Sequence, residues 1–231
     1  MKPEGETKGL PNAFGLVMSV LTHVLLLAPV IYILSFFIGN LDVLFSWHPT
    51  CMVIGVGLLI FEGVFSISGE ANLNQKVSRI NRITIHWILH TIGLSLMYIG
   101  LIVIIINKNI HDKEHFTTLH GKIGLASVIL ATFVGLFGVL ANNTRWLYPK
   151  VRPILLKVVH GYGGIGMTIL FLITIINGSW NYAFPDNSTS QILVLLSFII
   201  AIIIILFKPI LGAIARTKVI LRPPQQQNQT A

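Results

Sequence analysis

Long apolar runs alternate with short polar stretches along this chain. Six runs stand out, at Phe14 to Ile38, Trp47 to Ser66, Thr84 to Ile106, His120 to Ala141, Ile154 to Gly178 and Gln191 to Leu211. Each has about the 20 residues that a helix needs to cross a hydrocarbon core roughly 30 Å thick. The pattern predicts an all-α membrane protein of six transmembrane helices. The short connections leave no room for a second soluble domain.

Composition agrees with that reading. Hydrophobic residues make up 54% of the chain and charged residues 10%, against about 25% charged in ordinary soluble domains. Residues 1–12 read as a polar tail, 13–218 as the transmembrane domain and 219–231 as a glutamine-rich, disordered tail. Met1 to Pro11 is mixed in charge and precedes an apolar run without a small-residue cleavage pattern, so the first run is read as a retained helix.

The net charge of +8 is of the sign a nucleic-acid partner would require, but its placement excludes one. With the N-terminus in the cytosol, thirteen Lys and Arg fall on the cytosolic side and three on the other. That asymmetry sets membrane orientation and puts both termini in the cytosol. The single cysteine, Cys51, rules out an intrachain disulfide and reads as small core packing. Metal chemistry must therefore rest on histidine.

Orientation gives each histidine a depth. The second and fourth helices run inward, with His48 and His120 at their outer starts. Ser46 is the expected cap of the second helix, with Pro49 in its first turn. The third and fifth helices run outward, with His86 and His160 near their inner starts. The four histidines thus form two pairs of equal depth, one near each membrane face.

Two facing imidazoles suit a six-coordinate haem iron, a ligation for electron transfer because no position is left open for substrate. Zinc would need three or four ligands, and only two occur at each depth. The bland alternative, four satisfied core histidines, does not account for the regular segregation. The irons would stand roughly 20 Å apart along the helix direction. Gly121, Gly124, Gly161, Gly163 and Gly164 flank the histidines and read as space for the porphyrins.

The other polar residues carry less. His23, near mid-membrane, reads as a hydrogen-bonding histidine packed on a cofactor edge or polar group rather than a metal ligand. Glu62 is either a proton relay or a neutral, hydrogen-bonded carboxyl. Lys76, Arg79 and Arg82 read either as topogenic charges or as an anion-binding rim above an inner redox site. His115 and Phe116 could border an outer site. Asn187-Ser188-Thr189 is a glycosylation sequon on the outer side. The sixth helix, without histidine, reads as packing.

The segments Leu44-Phe45-Ser46-Trp47-His48-Pro49, His86-Trp87-xx-His90, His115-Phe116-xxx-His120-Gly121 and Lys157-xx-His160-xxx-Gly164 resemble the cytochrome b561 family. The resemblance extends from His23 through the sixth helix. It implies two b-type haems between helices two to five, with His48 and His120 on the non-cytosolic haem and His86 and His160 on the cytosolic one. It further implies a homodimer in an endomembrane vesicle or the plasma membrane, acting as an ascorbate-dependent ferrireductase or monodehydroascorbate reductase. Cytosolic ascorbate would give single electrons, held near Lys76, Arg79, Arg82 and Arg152, and ferric iron or monodehydroascorbate would receive them outside. Ascorbate-regenerating members carry a histidine at the end of helix three that touches the outer substrate. Here the nearest positions are Asn107 and Lys108, which leaves the acceptor open.

Two other readings compete. One is a haem-free transporter or proton channel using His23, Glu62 and His90 as a relay. The other is a haem-carrying subunit that hands electrons to a partner protein.

Overall fold

The computed structural model describes residues 13–68, 77–182 and 188–221. Lys76 and Asn187 lie outside the described residues. Six helices cross the apolar layer: α1 (Ala13–Phe37), α2 (Leu44–Ser68), α3 (Arg79–Ile110), α4 (Leu119–Asn142), α5 (Pro153–Tyr182) and α6 (Ser188–Leu221). No strand occurs among the described residues. In hydrocarbon every backbone amide must be satisfied within its own segment, and helices do this without partners. Large apolar side chains such as Ile102, Phe133, Leu136 and Ile203 face outward, as lipid contact requires.

The ends follow local chemistry. Ser78 caps α3 by accepting from the Asn81 amide at 3.2 Å, and Thr118 caps α4 by accepting from Gly121 at 3.1 Å. Proline opens α5, where its missing N–H is not needed. The second helix departs from expectation. It starts at Leu44 after Val43, without a side-chain cap, so Ser46 is not the cap and Pro49 stands in the second turn. Arg79 and Arg82 are on α3 rather than in a loop, and α6 continues to Leu221, past the expected tail boundary at 219.

The middle of α2, Val53–Ile60, is π-helical. Such widened turns re-aim the side chains beyond them and occur often at functional sites. Here the widened stretch coincides with a close crossing of α2 and α3. A Cβ on Gly55 would stand 2.7 Å from the Gly93 carbonyl oxygen, and one on Gly93 would stand 2.7 Å from that of Gly55. Two glycines opposite one another let the α2 and α3 backbones touch.

The bundle consists of two tightly packed antiparallel pairs, α2 with α3 and α4 with α5. Helices α1 and α6 flank α2 and bury Leu26, Val30, Ile60, Phe61, Phe65, Phe198 and Ile205 among them. Phe61 and Phe198 meet edge to face at 6.3 Å. Between the two pairs, α3 and α4 touch little, although the Tyr98 hydroxyl bonds to Thr132 Oγ1 at 2.5 Å.

Candidate functional site

Antiparallel neighbours place the start of one helix beside the end of the next, which is how the histidines find acceptors. His48 Nδ1–H donates to the Gly100 carbonyl on α3 at 2.9 Å, and His86 Nδ1–H donates to the Gly63 carbonyl on α2 at 2.8 Å. The second helix pair repeats the arrangement. His120 donates to Thr174 on α5 at 3.2 Å, and His160 donates to Val134 on α4 at 3.1 Å.

A carbonyl oxygen only accepts, so every Nδ1 carries the proton and every Nε2 is the unprotonated nitrogen. This is the tautomer a metal requires, and a fixed Nδ1 also holds the ring orientation. Across the bundle the structure brings His48 to His120 and His86 to His160. Their ring centroids are 6.2 Å apart in both pairs, with interplanar angles of 82° and 88°. A metal–nitrogen bond of about 2 Å and a ring radius of about 1 Å on each side give a separation of about 6 Å. Each pair is therefore spaced for one metal between two imidazoles. Among the described residues no group of three or more His, Cys, Asp or Glu could hold a metal ion, so a bare multi-ligand site is not formed.

A cavity of about 800 Å³ opens at the His48 and His120 pair. Its walls include Phe45, Met97, Gly124, Phe171 and Gly178, and its mouth is formed by Lys108, Lys113, His115 and Phe116. That size and apolar lining match the clefts that bury flat organic cofactors. His115 and Phe116 both line this cavity. His115 Nε2 is bonded to Asn109 Oδ1 at 2.7 Å, and Lys108 Nζ donates to the Glu114 carbonyl at 2.6 Å.

The glycines sort differently from the sequence reading. Gly164 has nothing within 4 Å of a built Cβ, and Gly124 makes only an ordinary contact at 3.7 Å with Thr174. Gly121, in contrast, is filled by its own preceding loop at Phe116, Gly161 faces α6, and Gly163 abuts Val134 at 3.0 Å. The glycines that seat the histidines lie on the opposite helices. Gly178 underlies His120, Gly138 underlies His160, and Gly63 lies under the His90 ring. Sequence reasoning missed them because they sit far from the histidines along the chain.

At the other end of the bundle, His90 stacks on His86 with centroids 4.1 Å apart and donates to the His86 carbonyl at 2.9 Å. Arg82 stands one turn before His86 on α3. Among the described residues its buried Nε–H meets no acceptor. Arg79 and Arg152 are exposed. Arg216 on α6, not anticipated from the sequence, lies against Gly161 beside His160. His23 finds its partner in Glu62, with Nδ1 and Oε1 2.8 Å apart.

These features define a six-helix, multi-pass membrane protein with a facing histidine pair toward each end of the bundle. The family model for eukaryotic cytochrome b561 matches residues 47–185. The chain belongs to the cytochrome b561 family, whose members bind b-type haem. The transmembrane reductase CYB561D2 of Mus musculus is 32% identical over 157 residues, covering 61% of this chain and 68% of that protein. The plasma membrane ascorbate-dependent reductase CYBRD1 of Mus musculus is 25% identical over 134 residues, 58% of this chain and 45% of the relative. The lysosomal membrane ascorbate-dependent ferrireductase CYB561A3 of Mus musculus is 25% identical over 135 residues, 58% of this chain and 54% of the relative.

Proposed function

We propose that this chain is a transmembrane oxidoreductase that takes single electrons from cytosolic ascorbate and delivers them to ferric iron or monodehydroascorbate on the other side. The observation that carries the reading is the repeated ligand geometry: four histidines with Nδ1 tied to backbone carbonyls, paired at 6.2 Å toward the two ends of one bundle. His48 with His120 and His86 with His160 are the residues that would hold two haem b groups. Bound between two imidazoles, haem b supplies reversible one-electron chemistry with no open coordination position.

The protein's own work is positioning and charge. Four backbone carbonyls fix the tautomer and ring plane of the ligands. Apolar helix faces keep water from the centre. Arg79, Arg82 and Arg152, with Lys76, supply a positive field for the ascorbate anion at the His86 end. Arg82 is the member of that set that stands one turn before His86 on α3. The mouth at His115 and Phe116 is the proposed exit toward the acceptor. Ascorbate dependence is supported by the names of two relatives, and cytosolic termini by the Lys and Arg asymmetry. Residues 13–218 form the proposed functional domain, and Asn187 the proposed glycan acceptor on the non-cytosolic face.

The haem-free relay has part of its geometry, since His23 and Glu62 meet. His90, its third member, bonds to the His86 carbonyl and packs on His86 and Gly63 instead. Proteoliposomes loaded with ferricyanide or a ferric chelate and given external ascorbate test the proposal. Internal reduction should proceed with wild type and fall to the protein-free rate with His86→Ala or His120→Ala. Colourless wild-type protein would overturn it.

A further inference from the structure

One pair of ionisable groups in the membrane helices has no part in the proposed electron path. His23 on α1 and Glu62 on α2 are joined at 2.8 Å, and Glu62 is the only carboxylate within the described transmembrane helices. Such a pair is poor evidence for stability, because desolvating two charges offsets most of their attraction. In an apolar layer it marks a function.

The surroundings point to which function. The Glu62 carboxyl leaves α2 toward α1, where His23 also meets Phe65 edge-on at 5.3 Å. The carbonyl of the next residue, Gly63, accepts the His86 Nδ1–H at 2.8 Å on the side toward α3. The carboxyl and the His86 ring thus belong to adjacent residues' contacts on one turn of α2. Facing this turn of α2 from the packed elements are His86 and His90 of α3, across Gly63, with Arg82 one turn before His86, and His160 of α5 beyond His86, with Arg216 of α6 beside it. Lys208 of α6 stands roughly 15 Å farther along its helix than the Phe198 that packs on Phe61.

We propose that the His23–Glu62 pair is a proton-binding site that takes up one proton for each electron entering the His86 and His160 site. The inference rests on the two-haem reading above. With one proton shared between Nδ1 and Oε1 the pair is neutral. With a second, one on each residue, it carries +1 and offsets the negative charge of the electron in a low-dielectric interior. The balance closes with ascorbate as donor. The ascorbate monoanion loses one electron and the proton of one enediol O–H, becoming the monodehydroascorbate radical anion. The electron enters the histidine site, a proton from the adjoining aqueous phase forms the new O–H bond on Glu62, and both leave when the electron moves on.

The test is a redox titration of purified, haem-loaded wild type, Glu62→Gln and His23→Gln across pH, with redox-difference infrared spectra. One haem midpoint of the wild type should fall by about 59 mV per pH unit, the value for one proton per electron. The other should not, and reduction should bring up a protonated-carboxyl band. Slope and band should both vanish in Glu62→Gln that retains two haems. Flat midpoints in the wild type, no carboxyl band on its reduction, or an unchanged slope in Glu62→Gln would overturn the inference. Should Glu62→Gln fail to assemble, His23→Gln decides: the pH slope should be lost in it, and an unchanged slope there would overturn the inference. Failure of the underlying reading looks different, since the wild type would then contain no haem or a single one.

Discussion

The His120 imidazole rests on Gly178 of the neighbouring helix. A Cβ at position 178 would stand 2.6 Å from His120 Cε1 and 2.9 Å from its Nδ1, closer than real atoms approach. The ring is seated by that missing side chain and by the Thr174 carbonyl one turn earlier. Gly178→Leu should therefore displace His120 and abolish the low-spin signal of one haem while the other persists. Gly124→Ala, whose Cβ would meet only Thr174 at 3.7 Å, should leave both. Absorbance spectra with haem quantification on purified protein check the pair of outcomes.

The two histidine pairs share no residue, so their losses should be separable. His160→Ala should reduce the haem content from two per chain to one and spare the His48 and His120 site. His48→Ala should do the reverse. The pyridine haemochrome assay, with low-temperature spectra to identify the surviving centre, reads both. Loss of both haems from either single variant would mean that the two sites assemble as a unit.

The mutual contact of Gly55 and Gly93 predicts a stability effect without a ligand. Gly93→Ala drives a Cβ to 2.7 Å from the Gly55 carbonyl oxygen and 2.8 Å from Ile60 Cγ1. Forcing the α2 and α3 backbones apart should cost about 1–3 kcal/mol, the usual range for overpacking. Gly39→Ala, with nothing within 4 Å, should cost little. Thermal unfolding in detergent, followed by tryptophan fluorescence, gives the comparison.

Arg82 predicts a binding effect. Arg82→Gln removes a charge one turn from His86 and should raise the ascorbate KM about tenfold or more, in keeping with the loss of a charged hydrogen bond of about 1.5–3 kcal/mol. Haem spectra should be unchanged. Lys113→Gln, at the opposite mouth, should leave the ascorbate KM as it was. Stopped-flow reduction by ascorbate at fixed ionic strength measures both.

Much of this molecule was legible along the chain. The six runs gave the helix number, because a bilayer demands about 20 apolar residues per crossing irrespective of what packs beside them. Helix direction alternates, so the histidines at helix starts fall at two depths, and His48 with His120 and His86 with His160 could be paired before any contact was known. The α2 start was misjudged because Ser46 has a good cap's chemistry, yet the chain turns at Val43.

What the chain could not contain was lateral. Gly63, Gly100, Gly138 and Gly178 seat or tether their histidines from another helix, 22 to 58 residues away in the chain. The meeting of His23 and Glu62 likewise depends on how α1 lies against α2 and on how its π-helical stretch turns the residues beyond it. Depth follows from the solvent and is written in one dimension. Rotation about each helix axis follows from side-chain interdigitation, a sum over neighbours distant in sequence, and only the packed bundle decides it.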